Sequence, residues 1–228
     1  NAGAGTINAP LLTVHGGGIF HFTFGQPVLS DINMPMLTSV GDLRVEGQGA
    51  DLSLPSVTEV VERMNAGGGG TITLAGVEML FADVHASENG STVAMPALTN
   101  AVGVSLGIET GGAFIAEALE SFTGGLINFD FDTSTMTIPN LANIDNTAID
   151  LSRGAILSLP NVTSYILTEN VNPLFDVTEV DSLLDLSALT TLTINEASNA
   201  TISIQARFGG PVDLSGLTTI DTVTTGAI

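Results

Sequence analysis

Asp130 and Asp132 alternate with Phe129 and Phe131, and Asp150 follows one repeat later. Alternation along a strand would set Asp130 and Asp132 on one outer face. A third oxygen donor one coil along would then complete a site for Ca²⁺, a hard cation that takes roughly six to eight oxygens. Ca²⁺ is the one cofactor these residues suggest. Arg153 lies close enough in the sequence to claim the same carboxylates for an ion pair. The Gly-rich turns also lack the Gly-Gly-x-Gly-x-Asp nonapeptide of calcium-binding solenoids. Grouped carboxylates could equally hydrolyse glycosidic bonds, whereas a polysaccharide lyase needs a base beside neutralising cations. Here the arginines are scattered along the sequence, lysine is absent, and His15, His21 and His85 are singletons. No Gly-x-Ser-x-Gly elbow, phosphate loop or His/Cys cluster occurs. The expectation is a non-catalytic protein, with a carbohydrate-active lyase or hydrolase as the alternative.

A second set of polar residues recurs at fixed spacing: Thr13, Thr38, Thr58, Thr99, Thr163, Thr190 and Thr218. Stacked hydroxyls of this kind can bridge one backbone to the next, and a flat hydroxyl array could instead order water or ice. The outward column of the preceding strand reads Asn8, Asn33, Ser53, Thr73, Ala94, Ile115, Thr137, Ser158, Asp185, Asp213, too mixed for a regular ice-matching face. Asn-x-Ser/Thr triplets begin at Asn89, Asn161 and Asn199. Asn89 and Asn199 sit at expected turns and are the candidate glycosylation sites.

The threonines mark a phrase that the chain repeats. Leu52-Ser53-Leu54-Pro55-Ser56-Val57-Thr58 returns as Leu157-Ser158-Leu159-Pro160-Asn161-Val162-Thr163 and as Val212-Asp213-Leu214-Ser215-Gly216-Leu217-Thr218. Ten copies are spaced 20 to 22 residues apart in the middle and 25 to 28 at the ends. A fixed period of this size is the signature of a solenoid. Four apolar columns, at the first position of the phrase and two, five and eight residues later, should point inward, with His15 the one polar member. The predicted fold is all-β: a right-handed parallel β-helix of about ten coils, ~21 residues each, and about 45 to 50 Å tall at the inter-strand spacing. A leucine-rich-repeat-like solenoid is the alternative. A single solenoid domain should span residues 1–228, with loop insertions near 170–181 and 195–199. A helical turn or two is expected only near Val60 to Asn65.

Composition narrows the partners. The chain carries 24 acidic residues against four arginines, for a net charge of −20. Nucleic acids and anionic membranes need clustered cations, so neither is expected as a partner. No apolar run approaches membrane-spanning length, and the positive mean hydropathy of +0.42 comes from alternating buried columns. The absence of cysteine is compatible with an extracellular or cell-surface setting.

The Leu-Ser-Leu-Pro-Asn-Val-Thr and Val-Asp-Leu-Ser-Gly-Leu-Thr-Thr-Ile phrases, joined by Gly, Asn and Ser turns, resemble repeats of secreted or surface-anchored bacterial parallel β-helix proteins of the adhesin or passenger type. That resemblance implies an extracellular stalk, adhesin or fibre role, with carbohydrate or a cell surface as a further partner. Neither terminal repeat shows a capping helix or charged run. The expected partner is therefore the chain itself, stacking head to tail, unless the sequence is cut from a longer solenoid.

Overall fold

The computed structural model describes residues 7–22, 32–168, 174–195 and 201–223. All secondary structure among them is strand or turn, and every strand pairing is parallel. The chain is a parallel β-solenoid, and the absence of helix among the described residues removes the leucine-rich-repeat alternative. It makes about seven turns rather than the ten counted from the sequence. The long terminal coils pass through residues outside the described set, although strands from nine coils still line up in the largest sheet.

Each coil has three faces. The first strand of the phrase builds one face: β5 (Asp51–Ser53), β7 (Thr71–Thr73), β10 (Thr92–Ala94), β13 (Ala113–Ile115) and β16 (Thr135–Thr137) form one sheet, and β18 (Ile156–Ser158), β21 (Leu183–Asp185) and β24 (Val212–Asp213) another. The proline of the phrase then turns the corner. Val57 N–H donates to the Leu54 carbonyl (3.2 Å) and Leu98 N–H to that of Met95 (3.2 Å), which puts Pro55 and Pro96 second in a β-turn, where the fixed φ of proline fits. The three-residue offset between inward columns is this turn. Short strands after the marker residue form the second face, as in β8 (Met79–Leu80), β11 (Asn100–Val102) and β14 (Ser121–Thr123).

The third face is the nine-stranded sheet of β2 (Val14–Phe22), β4 (Ser39–Glu46), β6 (Glu59–Gly67), β9 (Asp83–Ser87), β12 (Ser105–Glu109), β15 (Leu126–Asp130), β17 (Ala148–Ser152), β20 (Leu174–Thr178) and β23 (Ser203–Arg207). It is the one sheet that runs unbroken through the stack. On the first face, β16 and β18 belong to separate sheets, and a groove of about 450 Å³ lined by Met136, Ile138, Ile156 and Leu157 opens between them.

The four inward columns meet in one core. Leu52, Leu54, Val57 and Val60 in one coil, and Val93, Met95, Leu98 and Ala101 two coils on, are all buried, and the third face adds a pair per coil such as Leu106 and Ile108. Each buried aliphatic contributes roughly 1.5 to 3 kcal/mol.

Two expectations are corrected here. The Val60 to Asn65 stretch is part of β6, not a helical turn. Its burial resembles a helix because Val60 and Met64 point inward with three exposed residues between them, but the cause is a register shift, where the chain bends from the second face onto the third. The 170–181 stretch contains β20, whose Phe175 and Val177 are fully buried, so this part of the expected inserted loop is a strand of the core. Residues 169–173 and 196–200, including most of the 195–199 insertion, lie outside the described residues.

Leu98 is fully buried between Val77 and Leu119 of the adjacent coils. Leu98→Asp should abolish cooperative unfolding by circular dichroism, because it places an unpaired carboxylate in a dry stack. Leu98→Ala should fold and lose about 2 to 5 kcal/mol, and Glu62→Ala, on the exposed bend, should stay within about 0.5 kcal/mol.

Candidate functional site

Chemistry-bearing side chains concentrate on the outer face of the nine-stranded sheet. Inward pairs such as Leu43 and Val45, Met64 and Ala66, Val84 and Ala86, or Ile127 and Phe129 flank one outward residue per coil. In register from β4 to β23 that central column reads Arg44, Asn65, His85, Gly107, Asn128, Asp150, Asp176, Gln205. Three of the four arginines lie in this sheet, and Arg153 follows directly on β17.

Each arginine has a carboxylate partner. Arg63 Nε donates to Asp42 Oδ2 (3.2 Å) and Arg44 Nη2 to Glu46 Oε2 (3.1 Å). Arg153 Nη1 donates to Asp130 Oδ2 (2.7 Å), and Arg207 reaches both oxygens of Asp176, through Nε to Oδ1 at 2.8 Å and through Nη2 to Oδ2. Asp130 and Asp176 are buried while their arginines are about half exposed, so a desolvated carboxylate is neutralised by a long side chain folded down from the surface. Arg153 also lies over the Phe131 ring, 4.7 Å from its centroid.

Asp130, Asp132 and Asp150 do not converge, which corrects the expected cation site. β15 ends at Asp130, and Phe131 has a φ of 70°, so strand alternation stops before Asp132. Asp130 accepts from Ser152 Oγ (2.7 Å), from Phe131 N–H (3.0 Å) and from Arg153, while Asp132 is exposed at the corner. Asp150 stands level with Asn128 and Asp176, and Asp130 level with Ser152. Among the described residues no three His, Asp or Glu side chains are grouped to hold a metal ion.

The threonine column lies at the corner between the first and second faces. Thr58 Oγ1 donates to the Thr38 carbonyl (3.3 Å), Thr38 Oγ1 to that of Thr13 (3.0 Å), Thr99 Oγ1 to that of Glu78 (3.0 Å), Thr190 Oγ1 to that of Thr163 (3.0 Å), and Thr218 Oγ1 to that of Thr190 (3.2 Å). The carbonyls of Thr38, Glu78, Thr163 and Thr190 each take two backbone donors as well: that of Glu78 accepts from Thr99 N–H (2.9 Å) and Asn100 N–H (3.2 Å).

Asn89 is exposed on a turn between Glu88 and Gly90, both with positive φ. Asn199 lies outside the described residues. The Asn161 side chain donates to the Pro139 carbonyl at 2.7 Å. His15, expected inward, is half-buried at a register shift in β2, where its Nε2–H donates to the Gly18 carbonyl (3.3 Å). His21 is in β2, and His85 Nε2 lies 3.7 Å from Glu109 Oε1.

Electrostatics differ along the stack. Burial pushes the Asp150 carboxyl up, and repulsion from Asp176 and Asp130 adds to this against the pull of Arg207. Burial likewise raises Asp145, against the hydrogen bond it accepts from Ile166 N–H. Hydrogen bonds from Ser187 and Ser158 hold Asp185 below the usual carboxylate range.

No protein-family model, curated protein or solved structure matches the chain. Sequence reasoning missed the gathering of the arginines on one side of the solenoid, since they are far apart in the chain and Arg63, Arg153 and Arg207 meet their carboxylates in neighbouring coils only after coiling. The signal was a second phrase, apolar-x-apolar, at Leu43, Met64, Val84, Leu106, Ile127, Ile149 and Phe175, on nearly the same period as the first.

Two outcomes follow. Asp130→Ala should cost about 1 to 3 kcal/mol in chemical denaturation by orphaning charge-assisted donors, Asp132→Ala should change little, and a chelator should leave the melting temperature of the unmutated protein unchanged. Asp150 has a raised folded-state pKa, so its protonated form favours folding and that advantage is lost as pH rises through the folded value. Asp150→Asn should therefore melt higher than the parent at pH about 7, and the difference should fade below pH about 4, where both side chains are neutral.

Proposed function

We propose that this chain is a non-catalytic structural solenoid of an extracellular or cell-surface setting, a rigid rod that stacks end to end into a fibre or forms the stalk of a surface adhesin. The observation that carries this reading is the continuity of the core along the stack, from Leu37 through Leu98 and Leu141 to Leu192, all buried. Ties between coils accompany it on two edges: the threonine hydroxyls at one corner and the arginine–carboxylate pairs on the third face. Asp130 and Asp176, which a hydrolase would keep free, are held by arginine. No arginine is left over for a polyanion, and the remaining carboxylates keep an apolar chain in solution.

The proposed partner is a second copy of the chain. Within the stack, the inward columns of the third and second faces are buried at Ile149, Phe175, Tyr165 and Leu192, whereas in the outermost described coil Ile204 is 39% and Ile220 66% exposed. A further coil seated there would cover both and pair the backbone edge of β23, which is strand addition between copies. Such a contact is heterologous and does not close, so it propagates as a filament.

Sedimentation velocity and electron microscopy at micromolar concentration should show length-heterogeneous filaments. A persistently monomeric rod would overturn head-to-tail stacking. The rod itself is tested by trypsin: with four arginines and no lysine, the unfolded chain should yield five limit fragments. In the native chain the bonds after Arg44 and Arg63 should stay uncut, since opening β4 and β6 inside the main sheet requires breaking it.

A further inference from the structure

The central outward column of the nine-stranded sheet is interrupted at one rung. Gly107 supplies no side chain there, and a Cβ added to it would stand 2.9 Å from His85 Cδ2, so the imidazole leans over the glycine. The result is a groove of about 280 Å³ that crosses the strands and therefore runs along the rod axis. Half-buried Asn65 lies at one end and half-buried Asn128 at the other, with the 36% exposed Leu126 offering an apolar ledge.

The two carboxamides are the informative groups. Stacked asparagines in adjacent coils can hydrogen-bond to each other, but Asn65 and Asn128 are separated by the His85 and Gly107 rungs. Among the described residues neither carboxamide has a hydrogen-bond partner within the chain. Each offers an N–H₂ donor and a carbonyl acceptor to the groove. Of the charges at the rim, Arg63 is paired with Asp42 outside the groove, while within it Glu109 faces His85 and Asp83 accepts from Ser105 N–H at 2.8 Å. The groove therefore offers two-way hydrogen bonding from the carboxamides over a short apolar ledge, with the carboxylates of Asp83 and Glu109 at its rim, in a protein whose net charge of −20 repels anions.

We propose that this groove binds a neutral oligosaccharide lying parallel to the rod axis. Hydroxyl groups both donate and accept, as the carboxamides require, and the C–H face of a sugar ring suits Leu126 and the His85 ring that lies over Gly107. Three inter-strand steps separate the carboxamides, about 14 Å at the inter-strand spacing. Successive pyranose rings repeat at about the same distance as successive strands, so about three rings bridge Asn65 to Asn128, one per step. The proposal goes beyond the structural reading and does not depend on it, since a monomeric rod would carry the same groove.

The test is titration of the full chain by calorimetry and by amide NMR shifts with cellotriose, maltotriose and tri-N-acetylchitotriose, with trigalacturonate as the charged control. At least one neutral trisaccharide should saturate with a Kd of about 1 mM or tighter, shifting the amides of β6, β9, β12 and β15. Asn65→Ala and Asn128→Ala should each weaken it at least about tenfold with unchanged circular dichroism, and Gly107→Ala should do the same by filling the groove and displacing His85. If Gly107→Ala fails to fold, the two asparagine variants decide alone. The proposal is overturned if no neutral trisaccharide saturates by about 20 mM, if trigalacturonate binds more tightly, or if both asparagine variants bind like the parent.

Discussion

In a stack of parallel coils, backbone groups that point along the axis find their partners in the coil above or below, about 4.8 Å away. That requirement fixes the register of every other residue. The carbonyl of Glu78 shows how strict it is: two amides and one hydroxyl of the next coil converge on it. A coil can gain length only where it leaves this ladder. Once register is fixed, one apolar residue per position per coil becomes a column, and the columns become a core without helix, disulfide or metal among the described residues.

The phrase was legible because the period and the two-residue spacing of Leu52 and Leu54 speak directly about which side chains face inward. The proline and the three-residue step to Val57 were legible as a bend and prove to be a β-turn. The bend at Val61 to Arg63 was not, since three outward residues in a row look the same in a helix and at a sheet corner. Nor was β20: the polar segment before it suggested an insertion, and only the burial of Phe175 and Val177 returns Leu174–Thr178 to the stack. The proposed acidic site failed for a backbone reason, the positive φ of Phe131, which no periodicity announces.

The distribution of charge follows from burial. A carboxylate on a strand in a tight stack loses water to its neighbours, as Asp130 and Asp176 do. Such a group needs either a cation or a proton, and the two arginines supply the cation. Asp150, one strand away from Asp176 and with no arginine of its own, is instead the group pushed toward its protonated form. Asp185, on the first face, reaches the opposite outcome through serine donors alone.

The interruption between β16 and β18 divides the molecule in a way that the continuous core conceals. On either side of it, three-residue strands pair in sheets of their own, and across it the third face alone is knitted by an unbroken backbone ladder through β15, β17 and β20. In a linear array, stability is a sum of unit and nearest-neighbour terms, and here the neighbour term at this junction lacks the ladder of the first face. The nine-stranded sheet is therefore the element that couples the coils on the two sides of the junction. Thr135–Thr137 and Ile156–Ser158 face one another across it without a shared ladder, so a load passed along the rod crosses this point through the nine-stranded sheet.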